Sequence, residues 1–240
     1  MTSLTMSPER ACVLLSGIKE FQGLDCTELQ PVAQFCHWHR YSAGQEIIRY
    51  RDQTTDAFFI VQGAVRVTYY SPEGQEVILC DLSAGEMFGE LTAIDGQARS
   101  AQVIVRTDSI VASMPSAAFL DLLQTHPNIC LAMLKRLSGE VRRLTERVYD
   151  FSTLTVRHRI HAELLRLARL RTITSNIAIL SPAPTHVDIA NRLSTHREAV
   201  TRELNELARK KLVLRKDHEL HILDVAKLTK MVEEVRDSGS

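Results

Sequence analysis

Between positions 41 and 114, short β-rich runs alternate with turn residues, and no other feature limits the fold as tightly. The runs occupy 46–50, 57–62, 64–70, 76–82, 101–106 and 109–114. Ala43-Gly44, Gly63, Ser71-Pro72-Glu73-Gly74 and Ala84-Gly85 punctuate them. β-Branched and aromatic side chains suit a pleated surface, and glycine and proline supply the conformations that strands need at their corners. Short strands at this spacing predict an antiparallel two-layer barrel of the jelly-roll kind.

The strand series is interrupted at 88–101 by Phe-Gly-Glu-Leu-Thr-Ala-Ile-Asp-Gly-Gln-Ala-Arg-Ser-Ala, which places this stretch on the barrel wall. Two glycine turns bracket a short apolar segment, and Arg99-Ser100 follows the second. A planar donor fork beside a hydroxyl and small residues with accessible backbone N–H groups is what anionic oxygens require. Glu90, nine positions before Arg99, can accept from sugar hydroxyls while Arg99 and Ser100 hold a phosphate. That partner set has the outline of a cyclic nucleotide. Taken alone, the same residues also fit a tight loop carrying a surface ion pair.

Helical spacing precedes the barrel at 9–15 and 25–35, the second opening on a capping pair, Asp25 and Glu28. Residues 1–8 read as polar and loose. Cys36-His37-Trp38-His39 contains metal-ligand types, but no second cluster completes a coordination shell, so packing is the favoured role and no metal is expected. After the barrel a helix is predicted at 116–124 and a longer one from about 128 to 155. On the longer helix Leu134, Leu137, Val141, Leu144, Val148 and Phe151 recur at alternating steps of 3 and 4. A helix of roughly 28 residues is about 42 Å long. Such a heptad seam favours pairing with a second copy of the chain, the alternative being packing on its own barrel.

A second module begins with a helix at 157–168 and a connection at 171–184 that can hold a hairpin. Thr185-His186-Val187-Asp188 caps a short helix, Ser194-Thr195 breaks it, and Thr195-His196-Arg197-Glu198 caps another. Two short helices about a tight turn make a helix-turn-helix, whose second helix would enter a major groove. Arg197 and Arg202 can donate to guanine and Glu198 can accept from cytosine. The alternative is the solvated face of a three-helix core. Two strands around a polar turn at 210–223 fit a basic wing, and 224–235 reads as a closing helix.

Lys+Arg and Asp+Glu balance at 29 each, so a nucleic-acid surface has to be local. Five scattered cysteines without a C-x-x-C pair argue against a disulfide framework and for a reduced, cytoplasmic setting. No signal segment and no apolar run approaching about 18 residues is present, so neither secretion nor membrane spanning is expected. No nucleophile–base pairing or Walker loop stands out, so the chain does not read as an enzyme.

Barrel, Gly-Glu-Leu cradle, heptad helix, helix-turn-helix and wing, in that order, resemble the cyclic AMP receptor protein (CRP/FNR) family of bacterial transcription regulators. The likeness runs from about residue 19 to 235 and includes the segments 41–48, 59–65 and 85–91. It implies an α+β fold: a cyclic-nucleotide-binding jelly roll at 1–126, a dimerisation helix and hinge at 127–156, and a winged helix-turn-helix domain at 157–240. It further implies a regulator switched by cyclic AMP, with cyclic GMP a related ligand. By resemblance Glu90 takes the ribose 2′-hydroxyl, Arg99 the cyclic phosphate, and Ser100 with the backbone of Gly89, Leu91 and Ala101 the remaining oxygens. The family's adenine-contacting Thr-Ser pair falls on Leu144-Thr145, leaving Thr145 as the one hydroxyl. In the DNA module Arg197, Glu198 and Arg202 match the base-reading set, and Thr185, His196 and Thr201 fall at backbone-contacting positions. Ser194 stands where the family's turn glycine is usual, and His196 where it has serine. A homodimer, a two-fold operator with TGTGA-like half-sites and RNA polymerase as partner complete what the resemblance implies. A haem or redox sensor on the same scaffold is the alternative, which the intact Glu90, Arg99 and Ser100 set disfavours.

Overall fold

The computed structural model describes residues 2–171 and 173–237, which divide into two compact units, Met1–Gly139 and Glu140–Ser240. Expectations that touched Met1, Thr172 and 238–240 lie outside the described residues.

The first unit contains β1 (Thr2–Leu4), α1 (Pro8–Leu15), α2 (Cys26–Gln34), β2 (His37–Tyr41), β3 (Glu46–Ile48), β4 (Ala57–Tyr70), β5 (Glu76–Ser83), β6 (Met87–Phe88), α3 (Glu90–Asp95), β7 (Gln102–Met114) and α4 (Ser116–Thr125). The long helix α5 (Pro127–Thr153) begins there and continues into the second unit. All strand pairs are antiparallel, in the order β1-β2-β7-β4-β5, with β3 on β7 and β6 on β4. The two long strands change partners along their length, which curls the sheet into a roll. Period-two alternation fills it from both sides. Phe58 and Ile60 join Tyr41, Phe88, Val103 and Val111 inside the roll, whereas Ala57 and Phe59 face a second cluster with Trp38 of β2 and with Leu15, Phe21, Leu29 and Phe119 from the surrounding helices.

The predicted strands are present, with corrections at their ends. Gly63 does not separate two strands but lies within β4, where φ is 89° and the register against β7 shifts. A Cβ there would meet Asp108 O at 2.5 Å and Ser109 Cα at 2.8 Å, so this bulge requires glycine. The runs at 101–106 and 109–114 are likewise one strand, β7, while 46–50 contracts to β3. The N-terminus is not loose throughout, because Thr2–Leu4 pairs with β2. Cys36 and Trp38 pack in the helix-side core, and burial pushes the Cys36 thiol up to about 12. Asp25 caps α2 as expected, accepting from Thr27 N and Glu28 N while Glu28 Oε2 accepts from Asp25 N at 2.9 Å.

The second unit holds α6 (Val156–Arg169), β8 (Ile173–Thr174), β9 (Ile177–Leu180), α7 (His186–Leu193), α8 (Arg197–Arg209), β10 (Val213–Lys216), β11 (Glu219–Ile222) and α9 (Val225–Asp237). The hairpin foreseen in 171–184 turns at Ser175-Asn176, both with positive φ (51° and 66°), which matches the twist of the flanking strands. Its sheet runs β10-β11-β9-β8. Ile160, Leu164, Ile189, Val200, Leu204, Leu207, Ile222 and Leu228 form the core beneath it. Among the described residues no helix is long and apolar enough to cross a membrane.

Candidate functional site

The cradle is built around a glycine. Gly89 has φ 76° and ψ 6° and stands at the N-terminus of α3 without any side-chain cap, leaving the first-turn N–H groups uncapped. A Cβ at Gly89 would lie 2.8 Å from Arg99 Nη1 and 3.1 Å from the Phe58 ring. The absent side chain is therefore what lets Arg99 fold across the turn. Arg99 is buried and donates from Nη1 to Gly89 O at 2.9 Å, from Nη2 to Asp56 O at 2.7 Å and from Nε to Thr54 Oγ1 at 3.2 Å. Its guanidinium also lies 5.5 Å from the Phe58 ring centre, and Phe58 stacks on Phe88 at 5.0 Å. Burial pulls the Arg99 pKa below its ordinary value, and Asp56, Asp52 and Glu90 oppose that pull. Backbone bonds fix the loop, Arg99 N to Asp52 O at 2.9 Å and Arg51 N to Arg99 O at 3.0 Å.

Glu90 is buried, with Oε1 3.6 Å from Arg136 Nη2. The structure thus brings Gly89, Glu90 and Arg99 together. Ala101 is buried beside them in sequence, and Ser100 and Leu91 are exposed. Thr145 lies in the second unit, where its hydroxyl donates to Val141 O at 2.9 Å. Thr54, Asp56 and Arg136 were not anticipated. They reach the cradle through strand pairing and helix packing, and nothing in local spacing points to them.

In the second unit Thr185 caps α7 as expected: its hydroxyl accepts from Asp188 N at 3.0 Å and Asp188 Oδ2 accepts from Thr185 N at 3.2 Å. The expected side-chain cap on α8 is not formed. The helix starts at Arg197, so the exposed His196 holds the N-cap position in extended backbone without a side-chain capping bond, and Thr195 and Glu198 fall one residue out of register for a capping box. Arg197, Glu198 and Arg202 are exposed on that same end of α8, while Val200, Leu204 and Leu207 face the core. Thr201 Oγ1 donates to Arg197 O at 3.0 Å and lies 2.8 Å from His186 Nδ1. Thr185, His186, Val187, Arg197 and Arg215 line a cleft of about 240 Å³. Burial, with Arg215 and Arg197 nearby, holds the His186 pKa below its ordinary value. The cleft has the two cations and the exposed helix end that a phosphate backbone needs. His186, one residue after the α7 cap, lines this cleft although no motif points to it.

On α5, Leu134, Val141, Leu144 and Val148 are exposed, whereas Leu137 packs against the helix-side core and Phe151 is half-buried with Arg159 4.7 Å from its ring centre.

Comparison with known proteins agrees with both halves. A cyclic nucleotide-binding domain model matches residues 38–126, and a Crp-like helix-turn-helix domain model matches residues 158–231. The cAMP-activated global transcriptional regulator CRP of Salmonella typhimurium is 30% identical over 74% of this chain and 85% of its own length. The cAMP-activated regulator Vfr of Pseudomonas aeruginosa is 29% identical over 77% of this chain and 88% of its own. Among solved structures, CooA from Carboxydothermus hydrogenoformans superposes with a TM-score of 0.74 at 21% identity, covering 84% of this chain and 90% of its own. A CRP/FNR-family regulator from Thermus thermophilus gives 0.65 at 24% identity, over 82% and 98%. CRP, Vfr and the Thermus thermophilus protein are transcription regulators, not enzymes, and this chain belongs to the cyclic AMP receptor protein (CRP/FNR) family of transcription regulators.

Proposed function

We propose that the chain is a homodimeric regulator switched by cyclic AMP. The observation that carries this reading is the buried Arg99, which spends three of its five N–H donors on Gly89 O, Asp56 O and Thr54 Oγ1. A guanidinium fixed so firmly beside a helix start has two N–H groups left for one anionic group. Glu90 takes the ribose 2′-hydroxyl, Arg99 and Ser100 with the backbone of Gly89, Leu91 and Ala101 take the cyclic phosphate, and Thr145 is the hydroxyl available to the base. The cAMP-activated relatives support cyclic AMP as the ligand. Leu134, Leu137, Val141, Leu144, Val148 and Phe151 supply the seam between two copies, within the division 1–126, 127–156 and 157–240. Arg197, Glu198 and Arg202 read TGTGA-like half-sites, and Thr185, His196 and Thr201 contact the DNA backbone. RNA polymerase is the partner of the DNA-bound dimer, in the cytoplasm. For cyclic AMP to act as a switch it has to bind the DNA-competent state more tightly than the other.

Calorimetry on nucleotide-free protein tests the site. Cyclic AMP binds the parent, and Arg99→Leu weakens it by at least about 30-fold, equivalent to about 2 kcal/mol for loss of a buried charge partner. Arg99→Lys loses most of the same affinity, because an ammonium cannot reproduce the fork. Equal affinity in the parent and Arg99→Leu would contradict the assignment.

A further inference from the structure

Arg136, on α5, is assigned no role by any motif, yet its guanidinium is wedged between two buried carboxylates. Nη1 lies 3.6 Å from Glu20 Oε1 and Nη2 3.6 Å from Glu90 Oε1. Glu20 sits on the single-turn helix Lys19–Phe21, so the three residues come from separate segments of the first unit. The head group is anchored by neither acid but by the backbone, Nη2 donating to Met87 O at 2.7 Å, two residues before the cradle glycine.

These distances divide charge from hydrogen bonding. At 3.6 Å an arginine compensates a carboxylate's charge but does not occupy its lone pairs as a hydrogen bond at about 2.8 Å would. The Glu90 carboxylate meets Arg136 at 3.6 Å, beyond hydrogen-bond range, and Glu20 Oε2 and Arg136 Nη1 have no hydrogen-bond partner among the described residues. A buried carboxylate without a cation is costly, and an anionic ligand arriving beside it raises that cost. Arg136 relieves both penalties while leaving Glu90 able to accept from a hydroxyl. Glu20 draws on the same guanidinium from the other side, so it sets the share that Glu90 receives.

We propose that Arg136 is the positioning residue that holds Glu90 as acceptor for the ligand's 2′-hydroxyl, with Glu20 as its competing counter-charge, so that this buried triad sets the preference for ribose over deoxyribose. The inference rests on the role proposed for Glu90. Its particular consequence is a ratio of two affinities, which a merely structural ion pair would not control.

The test compares cyclic AMP with 2′-deoxy cyclic AMP, by direct and competition calorimetry, on the full chain. The parent prefers cyclic AMP by at least about tenfold, as a site built to bond a hydroxyl should. Arg136→Leu brings the ratio close to one, Arg136→Lys restores part of it, and Glu20→Gln raises it, an unchanged ratio there removing Glu20 as the competitor. If Arg136→Leu does not fold, the double variant Glu20→Leu/Arg136→Leu, which removes the stranded second acid, has to lose the ratio too. A variant that binds both nucleotides more weakly with the parent's ratio intact would overturn the positioning role and leave the nucleotide site standing. A parent that binds both nucleotides equally would remove Glu90 as the hydroxyl acceptor, and a parent that binds neither would remove the ligand itself. Either result overturns this inference as well.

Discussion

Ser194 illustrates how one residue carries strain in the turn between α7 and α8. Its backbone is left-handed, φ 47° and ψ 54°, and its N–H donates to Ala190 O to end α7. A side chain in that conformation costs about 1 kcal/mol, which glycine avoids. Ser194→Gly should therefore raise the unfolding free energy by about 0.5–1 kcal/mol, read as a higher urea midpoint. An unchanged or lower midpoint would mean that the serine conformation is not strained. The proximity of some residues is legible in the sequence for a physical reason. Gly89, Glu90 and Arg99 lie within one short stretch, so their chemistry could be read as a set. Arg136 and Glu20 could not, since a long-range ion pair leaves no trace in spacing. Thr195-His196-Arg197-Glu198 has the pattern of a cap in sequence, but the helix begins at Arg197 and no side chain bonds its start.

At the scale of elements, hydrophobic period locates most strands and helices but not β1, β2, β6 or α3, and the mistaken strand break falls where glycine has two uses. Gly63 resembles a corner in sequence and proves to be a bulge, since the close approach of Asp108 and Ser109 needs a missing Cβ just as a turn needs positive φ. The strand β2 coincides with Cys36-His37-Trp38-His39, whose ligand-type residues mask in sequence the alternation of exposed His37 and buried Trp38 that makes a strand. The heptad on α5 was legible from spacing alone, and exposure sharpens it. Leu134 is 56% exposed, Val141 63%, Leu144 47% and Val148 67%, an apolar row that a second copy would cover. Val148→Glu places like charges opposite each other in such a seam, so light scattering should report twice the chain mass for the parent and a shift towards the monomer for the variant. A parent that scatters as a monomer would contradict dimerisation through α5.

For the whole molecule, the two units differ in kind, a roll matching a cyclic nucleotide-binding domain within Met1–Gly139 and a Crp-like helix-turn-helix within Glu140–Ser240, with α5 running from the first into the second. Two recognition modules in one chain become a switch only if the ligands favour the same state, and linkage makes that reciprocal: the factor by which nucleotide tightens DNA binding equals the factor by which DNA tightens nucleotide binding. The most direct measurement is a calorimetric titration of cyclic AMP into nucleotide-free protein with and without a palindromic TGTGA-type duplex, paired with a DNA titration with and without cyclic AMP. The account predicts that both affinities rise by one common factor of at least about fivefold, the lower end of ordinary allosteric coupling, and that Arg99→Leu abolishes it. Cyclic AMP binding with the same affinity in the presence and absence of the duplex would contradict it.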